Sequence, residues 1–179
     1  MRKIISIIVF IILLAIGFLG YMGLFGDINV VEKEVGPYIF AYEDFVGDYA
    51  KTGPVFDEIN DNLLLNGVET SQGLGIYYDD PEVVMKENLK SRVGAIVSEE
   101  QAFQIDGRGL KHKIMTVDKF NAVTVEFPLK NMLSIIIGVK KAYPALSDYM
   151  DMKGYKNAPA YEIYDYDKGV ILYAFPIIK

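Results

Sequence analysis

The hexapeptide Gly75-Ile76-Tyr77-Tyr78-Asp79-Asp80 has a close counterpart near the C-terminus, Glu162-Ile163-Tyr164-Asp165-Tyr166-Asp167. Each copy follows a glycine at the same distance, Gly67 before the first copy and Gly154 before the second. Repeated units predict similar supersecondary blocks that pack on one shared core. Because the second copy begins with a carboxylate where the first begins with glycine, Glu162 is a candidate functional residue.

Each copy lies in a predicted block of three short strands and one amphipathic helix. The helix of the first block starts near Val55 and stops at Gly67, and the helix of the second covers residues 133–152 and kinks or restarts at Pro144. The predicted strands are residues 37–42, 73–78, 92–97, 122–127, 161–166 and 170–176. A block of this size cannot bury an apolar face alone, so we predict one pseudo-symmetric α+β domain of duplicated strand–helix–strand–strand units.

The segment that joins the two blocks is less regular. A turn-rich stretch surrounds Gly107-Arg108-Gly109, and residues 111–117 form either an extra strand or an extended linker. His112, the single histidine of the chain, lies in this segment, where we expect a solvated position. A single histidine excludes a multi-histidine metal site, and Asp79-Asp80-Pro81 has the composition of a turn. We predict no metal and no cofactor.

The N-terminal segment has the composition of a membrane span. No charged residue occurs between Ile4 and Gly26, and such a run crosses a bilayer core of about 30 Å as a helix. A cleaved signal peptide is the alternative, but its apolar core is shorter and ends in a small-x-small site, which this run lacks. We therefore predict a transmembrane signal anchor at residues 1–26 and a folded domain at residues 27–179.

The charges of the chain bear on its location and partners. Arg2 and Lys3 precede the apolar run, so the positive-inside rule places the domain of this single-pass protein on the non-cytoplasmic side. The whole chain has 18 Lys and Arg residues against 24 Asp and Glu residues. Phosphate neutralisation supplies most nucleic-acid affinity, so this acidic chain is not expected to bind nucleic acid.

From about Val30 to its end, the chain resembles the GyrI-like effector-binding (SHS2-type) family. The matching positions are Gly47-Asp48-Tyr49, Phe56, the stretch from Gly75 to Pro81, Arg92-Val93-Gly94, Gly138, Tyr143, Leu146 and Tyr161-Glu162-Ile163-Tyr164. The family includes ligand-binding domains of multidrug-responsive transcription regulators and stand-alone gyrase-inhibitory proteins. An animal reticulophagy receptor combines a GyrI-like domain with an N-terminal transmembrane segment, which is the layout of this chain. The resemblance implies a pocket between the halves, lined by aromatic residues around a glutamate that is Glu162 by motif position.

The chemistry of Glu162 supports more than one function. Strand alternation places Glu162 and Tyr164 on one face. An ionised carboxylate beside tyrosines attracts a cationic ligand whose flat body stacks on the rings. If burial raises its pKa, the same group serves as a general acid or base. Some relatives are described as hydrolases of reactive electrophiles, so the resemblance leaves open whether this protein is an enzyme.

We predict a membrane-anchored domain that binds an amphipathic, aromatic or cationic small molecule at Glu162. The other candidate ligand-binding residues are Tyr164, Tyr42, Tyr77 and Tyr173. Two less specific interpretations stand beside this prediction, because most glutamates face solvent and aromatic residues at strand spacing usually belong to the core. The alternative functions are a hydrolase that uses Glu162 and a non-catalytic module that recruits a protein partner.

Overall fold

A computed structural model describes residues 2–179, and eight antiparallel strands form one sheet at its centre. The strands are β1 (Val30–Val35), β2 (Tyr38–Val46), β3 (Gln72–Tyr77), β4 (Lys90–Val97), β5 (Lys113–Val117), β6 (Phe120–Pro128), β7 (Ala160–Asp165) and β8 (Val170–Pro176). The helices are α1 (Arg2–Tyr21), α2 (Gly53–Leu65), α3 (Glu99–Gly107) and α4 (Met132–Lys153). The strand order across the sheet is β1-β6-β8-β7-β3-β4-β2-β5. The predicted α+β class is confirmed.

The duplication is visible in the strand order. The units β2-α2-β3-β4 and β6-α4-β7-β8 form the two halves, and β3 and β7 meet at the centre of the sheet. Gly75 pairs with Glu162 in that central ladder, and Gly73 pairs with Tyr164. The first residues of the two copies of the repeated hexapeptide therefore face each other at the boundary between the halves, and the copies run in opposite directions from that pair. Helix α2 packs on β4, and α4 packs on β6 and β8.

A second ladder joins the two edges of the sheet. Val35 of β1 pairs with Phe120 of β6, and Tyr38 of β2 pairs with Val117 of β5. The same register therefore continues from β1 through Gly36 and Pro37 into β2. Because β1 pairs with β6 of one half and continues into β2 of the other half, the sheet curves back on itself. The curved sheet encloses an apolar cluster on the face away from α2 and α4: Val35, Phe40, Tyr42, Leu74, Ile76, Val117, Ala122, Ile163 and Ala174.

Two elements differ from the predictions. Helix α3 was not predicted; it ends at Gly107, the first glycine of the turn-rich stretch, and it starts with a capping box between Ser98 and Gln101. This Ser-x-x-Gln spacing is a helix-start signal that apolar periodicity alone does not detect. Helix α4 continues through Pro144, so of the kink or restart predicted there the restart is wrong. Pro144 lies on the exposed side of α4, where water can bond the carbonyl that loses its partner.

The first helix, α1, stands apart from the sheet. None of its residues is buried against the domain, although most of them are apolar. Among residues 2–179, α1 is the one helix long and apolar enough to cross a membrane, and the same properties suit a signal sequence. Residues 111–117, for which strand and linker were both open, contain β5 at one edge of the sheet.

Candidate functional site

A buried carboxylate lies at the boundary between the two halves. Glu162 in β7 is 4% exposed, and the Tyr143 hydroxyl donates to its Oε1 over 2.7 Å. The Tyr164 hydroxyl donates to Oε2 of the same carboxylate. No basic side chain among residues 2–179 lies within 4.0 Å of Glu162. Burial raises the pKa of Glu162, and the bonds from the two tyrosines partly oppose that rise.

Aromatic side chains from both halves surround this carboxylate. Tyr173 lies beside Glu162 on the neighbouring strand, and its ring contacts that of Tyr143 edge-to-face at 5.9 Å. Phe56 of α2 packs against Tyr164 in a similar geometry at 5.4 Å. The Glu162 cluster consists of Glu162, Phe56, Tyr77, Tyr143, Tyr164 and Tyr173. Burial and the charge of Glu162 raise the pKa of all four tyrosines, so their hydroxyls remain protonated donors at physiological pH.

Two glycines make room for these rings. A Cβ atom at Gly75 would lie 2.7 Å from the ring of Tyr77, so the glycine opposite Glu162 leaves space for a phenol. A Cβ atom at Gly138 of α4 would overlap the Tyr173 hydroxyl and lie 2.9 Å from the Phe127 ring. The difference between the repeats, glycine in one and glutamate in the other, therefore produces an asymmetric site in a nearly symmetric fold.

The Glu162 cluster is closed by its own side chains. Tyr77 and Tyr164 are each 7% exposed, and Tyr173 is fully buried. Two surface grooves of about 750 and 390 Å³ lie elsewhere, and neither is lined by Glu162. A ligand can reach the carboxylate only if one or more of the surrounding rings moves.

The structure brings together four of the five residues that the sequence proposed for the site. Glu162, Tyr164, Tyr77 and Tyr173 meet, whereas Tyr42 lies on the opposite face of the sheet. There it stacks with Phe40 at 5.2 Å between ring centroids. Tyr42 therefore cannot share a ligand with Glu162 in this arrangement, because its strand parity points it into the core enclosed by the curved sheet.

Tyr143 and Phe56 belong to the cluster but were absent from the proposed site residues. Both are positions of the family pattern, so the sequence contained a signal for them. Tyr143 lies on a helix 19 residues before Glu162, and the 2.7 Å contact depends on how α4 docks on the sheet. Helical spacing shows that such a ring faces the core but not which strand residue it meets.

His112 is buried rather than solvated, so that expectation was wrong. Its Nε2 lies 2.9 Å from the side-chain oxygen of Asn62 in α2, and its Nδ1 lies 3.1 Å from Glu43 in β2. The exposed neighbours Lys111 and Lys113 obscured this position, because they give the segment a polar composition. The imidazole, which immediately precedes β5, joins α2 to β2 and lies outside the Glu162 cluster.

A sequence model of the GyrI-like small molecule binding domain matches residues 28–170. The chain belongs to the GyrI-like family. Human testis-expressed protein 264 is 29% identical over 168 residues, which cover 88% of this chain and 51% of the human protein. The chain thus spans about half the length of this curated relative.

Solved structures show the same GyrI-like fold at low sequence identity. The EcmrR C-terminal domain is 17% identical with a TM-score of 0.58, covering 85% of this chain and 98% of that domain. SAV2435, solved with bound tetraphenylphosphonium, is 13% identical with a TM-score of 0.53, covering 83% of this chain and 93% of SAV2435. The family match spans both halves of the present domain and includes Glu162.

Proposed function

We propose that this protein is a membrane-anchored GyrI-like domain that binds an amphipathic, aromatic or cationic small molecule around Glu162. The observation that carries the proposal is a buried carboxylate with two tyrosine donors and, among residues 2–179, no basic side chain within 4.0 Å. Burying a carboxylate without a counter-charge is costly, so a core retains one only when the rest of the structure compensates. A cationic ligand would supply the missing charge.

The aromatic residues of the cluster suit the same ligand. Tyrosine and phenylalanine rings attract cations through their faces, and a planar or arylated cation also buries apolar area against them. SAV2435 binds tetraphenylphosphonium, a cation of this chemical class, on the same fold. At 13% identity that structure shares the fold alone, so it supports the class of probe and not the identity of the natural ligand.

The closed cluster must open for such a ligand. Tyr143 is the one member of the cluster that combines a direct bond to Glu162 with partial exposure. Rotation of its ring away from the carboxylate would free Oε1 and the space above Tyr173. Opening and binding are then coupled, and the ligand selects the open state by its affinity for Glu162.

Titration calorimetry of tetraphenylphosphonium binding tests this proposal. The protein used is a fragment of residues 22–179, which starts directly after α1. The Glu162→Gln variant should bind at least about tenfold more weakly, because the ionic partner of the cation is gone. Glu126→Gln is the matched control: it removes the same charge from the same sheet, and its side chain is 62% exposed. The control should bind like the wild type. Equal binding by Glu162→Gln, or no binding by the wild type, would contradict the proposal.

A protein-interaction module is the second candidate, and the closed cluster favours it. The groove of about 750 Å³ is lined by Tyr42, Ile114 and Phe103 among others, and Phe103 is 79% exposed. An apolar ring in that position is available to a partner. If no small molecule binds the wild type and Phe103→Ser abolishes recovery of a partner from membranes, this second function replaces the first. Conversion of a bound electrophile that is lost in Glu162→Gln would instead make the protein an enzyme.

A further inference from the structure

The chain leaves α1 and enters the domain without a free linker. Met22 directly follows the last residue of α1, is 2% exposed and belongs to the core cluster that contains Phe127 and Tyr173. Gly23, with a φ of +92°, packs so closely on Phe127 that a Cβ atom there would lie 2.6 Å from that ring. Residues 22–26, here called the junction, are therefore part of the folded domain.

A lysine from the second half holds the junction in place. The Lys141 ammonium of α4 donates to the backbone carbonyls of Gly23, Leu24 and Gly26, at 3.2 Å for Gly23 and 2.9 Å for Leu24. Carbonyls just beyond the end of a helix lack helical partners, and a cation there also interacts favourably with the helix dipole. Lys141 thus joins the end of α1 to a helix more than a hundred residues away in sequence. Cleavage near the junction would leave this ammonium and the Met22 site without their partners.

The outer surface around the junction has the composition of a membrane interface. Tyr21 and Phe25 are each 64% exposed, and the Lys130 ammonium lies 5.5 Å from the centre of the Tyr21 ring. Lys130 is exposed, and among residues 2–179 no carboxylate lies within 4.0 Å of it. Aromatic rings beside basic side chains are typical of the headgroup level at the end of a membrane-spanning helix.

We infer that the junction holds the domain directly against the bilayer, with the β6–α4 turn in the headgroup layer and Lys130 facing lipid phosphates. The 20 residues of α1 span about 30 Å, the thickness of the hydrocarbon core, so Tyr21 marks its boundary. The headgroup region adds only about 5–7 Å on each side, less than the width of a packed helix. A domain that starts at Met22 must therefore enter that layer. The inference rests on membrane anchoring by α1 and is independent of ligand binding at Glu162.

Single-cysteine labelling of the full chain tests this position, because the sequence contains no cysteine. A fluorophore at Met132→Cys reports on the β6–α4 turn, and a fluorophore at Phe103→Cys on α3 reports on the other half of the domain; both native side chains are exposed. The protein is reconstituted into phosphatidylcholine vesicles that carry a quencher on the lipid headgroup. We expect strong quenching at position 132 and little at position 103.

A flexible Gly/Ser segment inserted between Tyr21 and Met22 is the decisive comparison. It keeps Met22 and Lys141 in their contacts but separates the domain from α1, so the quenching at position 132 should be lost. Adding phosphatidylserine to the vesicles should increase quenching, and Lys130→Ala should remove that increase. Unchanged quenching at position 132 after the insertion, or equal quenching at positions 132 and 103, would overturn the inference without contradicting membrane anchoring by α1. Failure of the full chain to float with vesicles would overturn the anchor itself.

Discussion

Glu162 links the fold to a measurable pH dependence. Burial raises its pKa above the ordinary value of 4.5, so the folded protein keeps this proton to a higher pH than the unfolded chain does. The stability that this group contributes is complete below about pH 4.5 and is lost as the pH rises through the folded-state pKa. Glu162→Gln has no such proton to lose. Its free energy of unfolding relative to the wild type should therefore increase as the pH rises from about 4.5, and level off above the folded-state pKa of Glu162.

Urea unfolding of the wild type and the variant across a pH series measures this difference. Glu126→Gln is the control, because its exposed carboxylate forms only a surface ion pair with Lys33, and such pairs contribute little to stability. The control difference should change little over the same range. A Glu162→Gln difference that stays flat with pH would show that the carboxylate is hydrated rather than enclosed.

At the scale of the element, the contact between α4 and the sheet depends on Gly138. Alanine has the higher helix propensity by about 1 kcal/mol, so propensity alone favours Gly138→Ala. The added methyl group would overlap the Tyr173 hydroxyl and press on Phe127. Overpacking of this kind costs about 1–3 kcal/mol, so we expect a net loss of stability and a shift of Tyr173.

Gly107→Ala at the end of α3 provides the matched comparison. A Cβ atom at Gly107 has nothing within 4 Å, so the same substitution should leave stability unchanged or raise it. Thermal unfolding of both variants distinguishes packing from propensity. If Gly138→Ala is as stable as Gly107→Ala, then α4 does not approach the sheet as closely as the structure places it.

At the scale of the whole molecule, the junction leads us to expect that the folded unit begins at the end of α1. The sequence suggested residue 27 as the first residue of the domain, whereas Met22 is buried in its core. Removal of a buried methionine side chain costs about 2–5 kcal/mol. A fragment of residues 27–179 should therefore melt at a lower temperature than a fragment of residues 22–179.

Phe25→Ala in the longer fragment is the control for this comparison, because Phe25 is 64% exposed and should contribute little to folding in water. The shorter fragment also loses the carbonyls that Lys141 binds, which adds to the expected difference. Equal melting temperatures for the two fragments would mean that the junction is not part of the folded unit.

The sequence by itself determined the features that depend on neighbours along the chain. Strand alternation, helical spacing and glycine stops predicted the two repeated units, and an uncharged run predicted α1. Gly154, in a left-handed conformation, ends α4 as its position in the repeat indicated. The family pattern singled out Glu162, and the match of the GyrI-like sequence model to residues 28–170 confirms the family.

Only the tertiary structure decided which of these residues meet. Tyr42 and Tyr77 both lie in apolar, aromatic strands, yet strand pairing places them on opposite faces of the curved sheet. Tyr143 reaches Glu162, and Met22 enters the core, through the docking of helices that are distant in sequence. A local pattern records whether a side chain is buried but not its partner, because the partner is set by strand order and by the way each helix packs on the sheet.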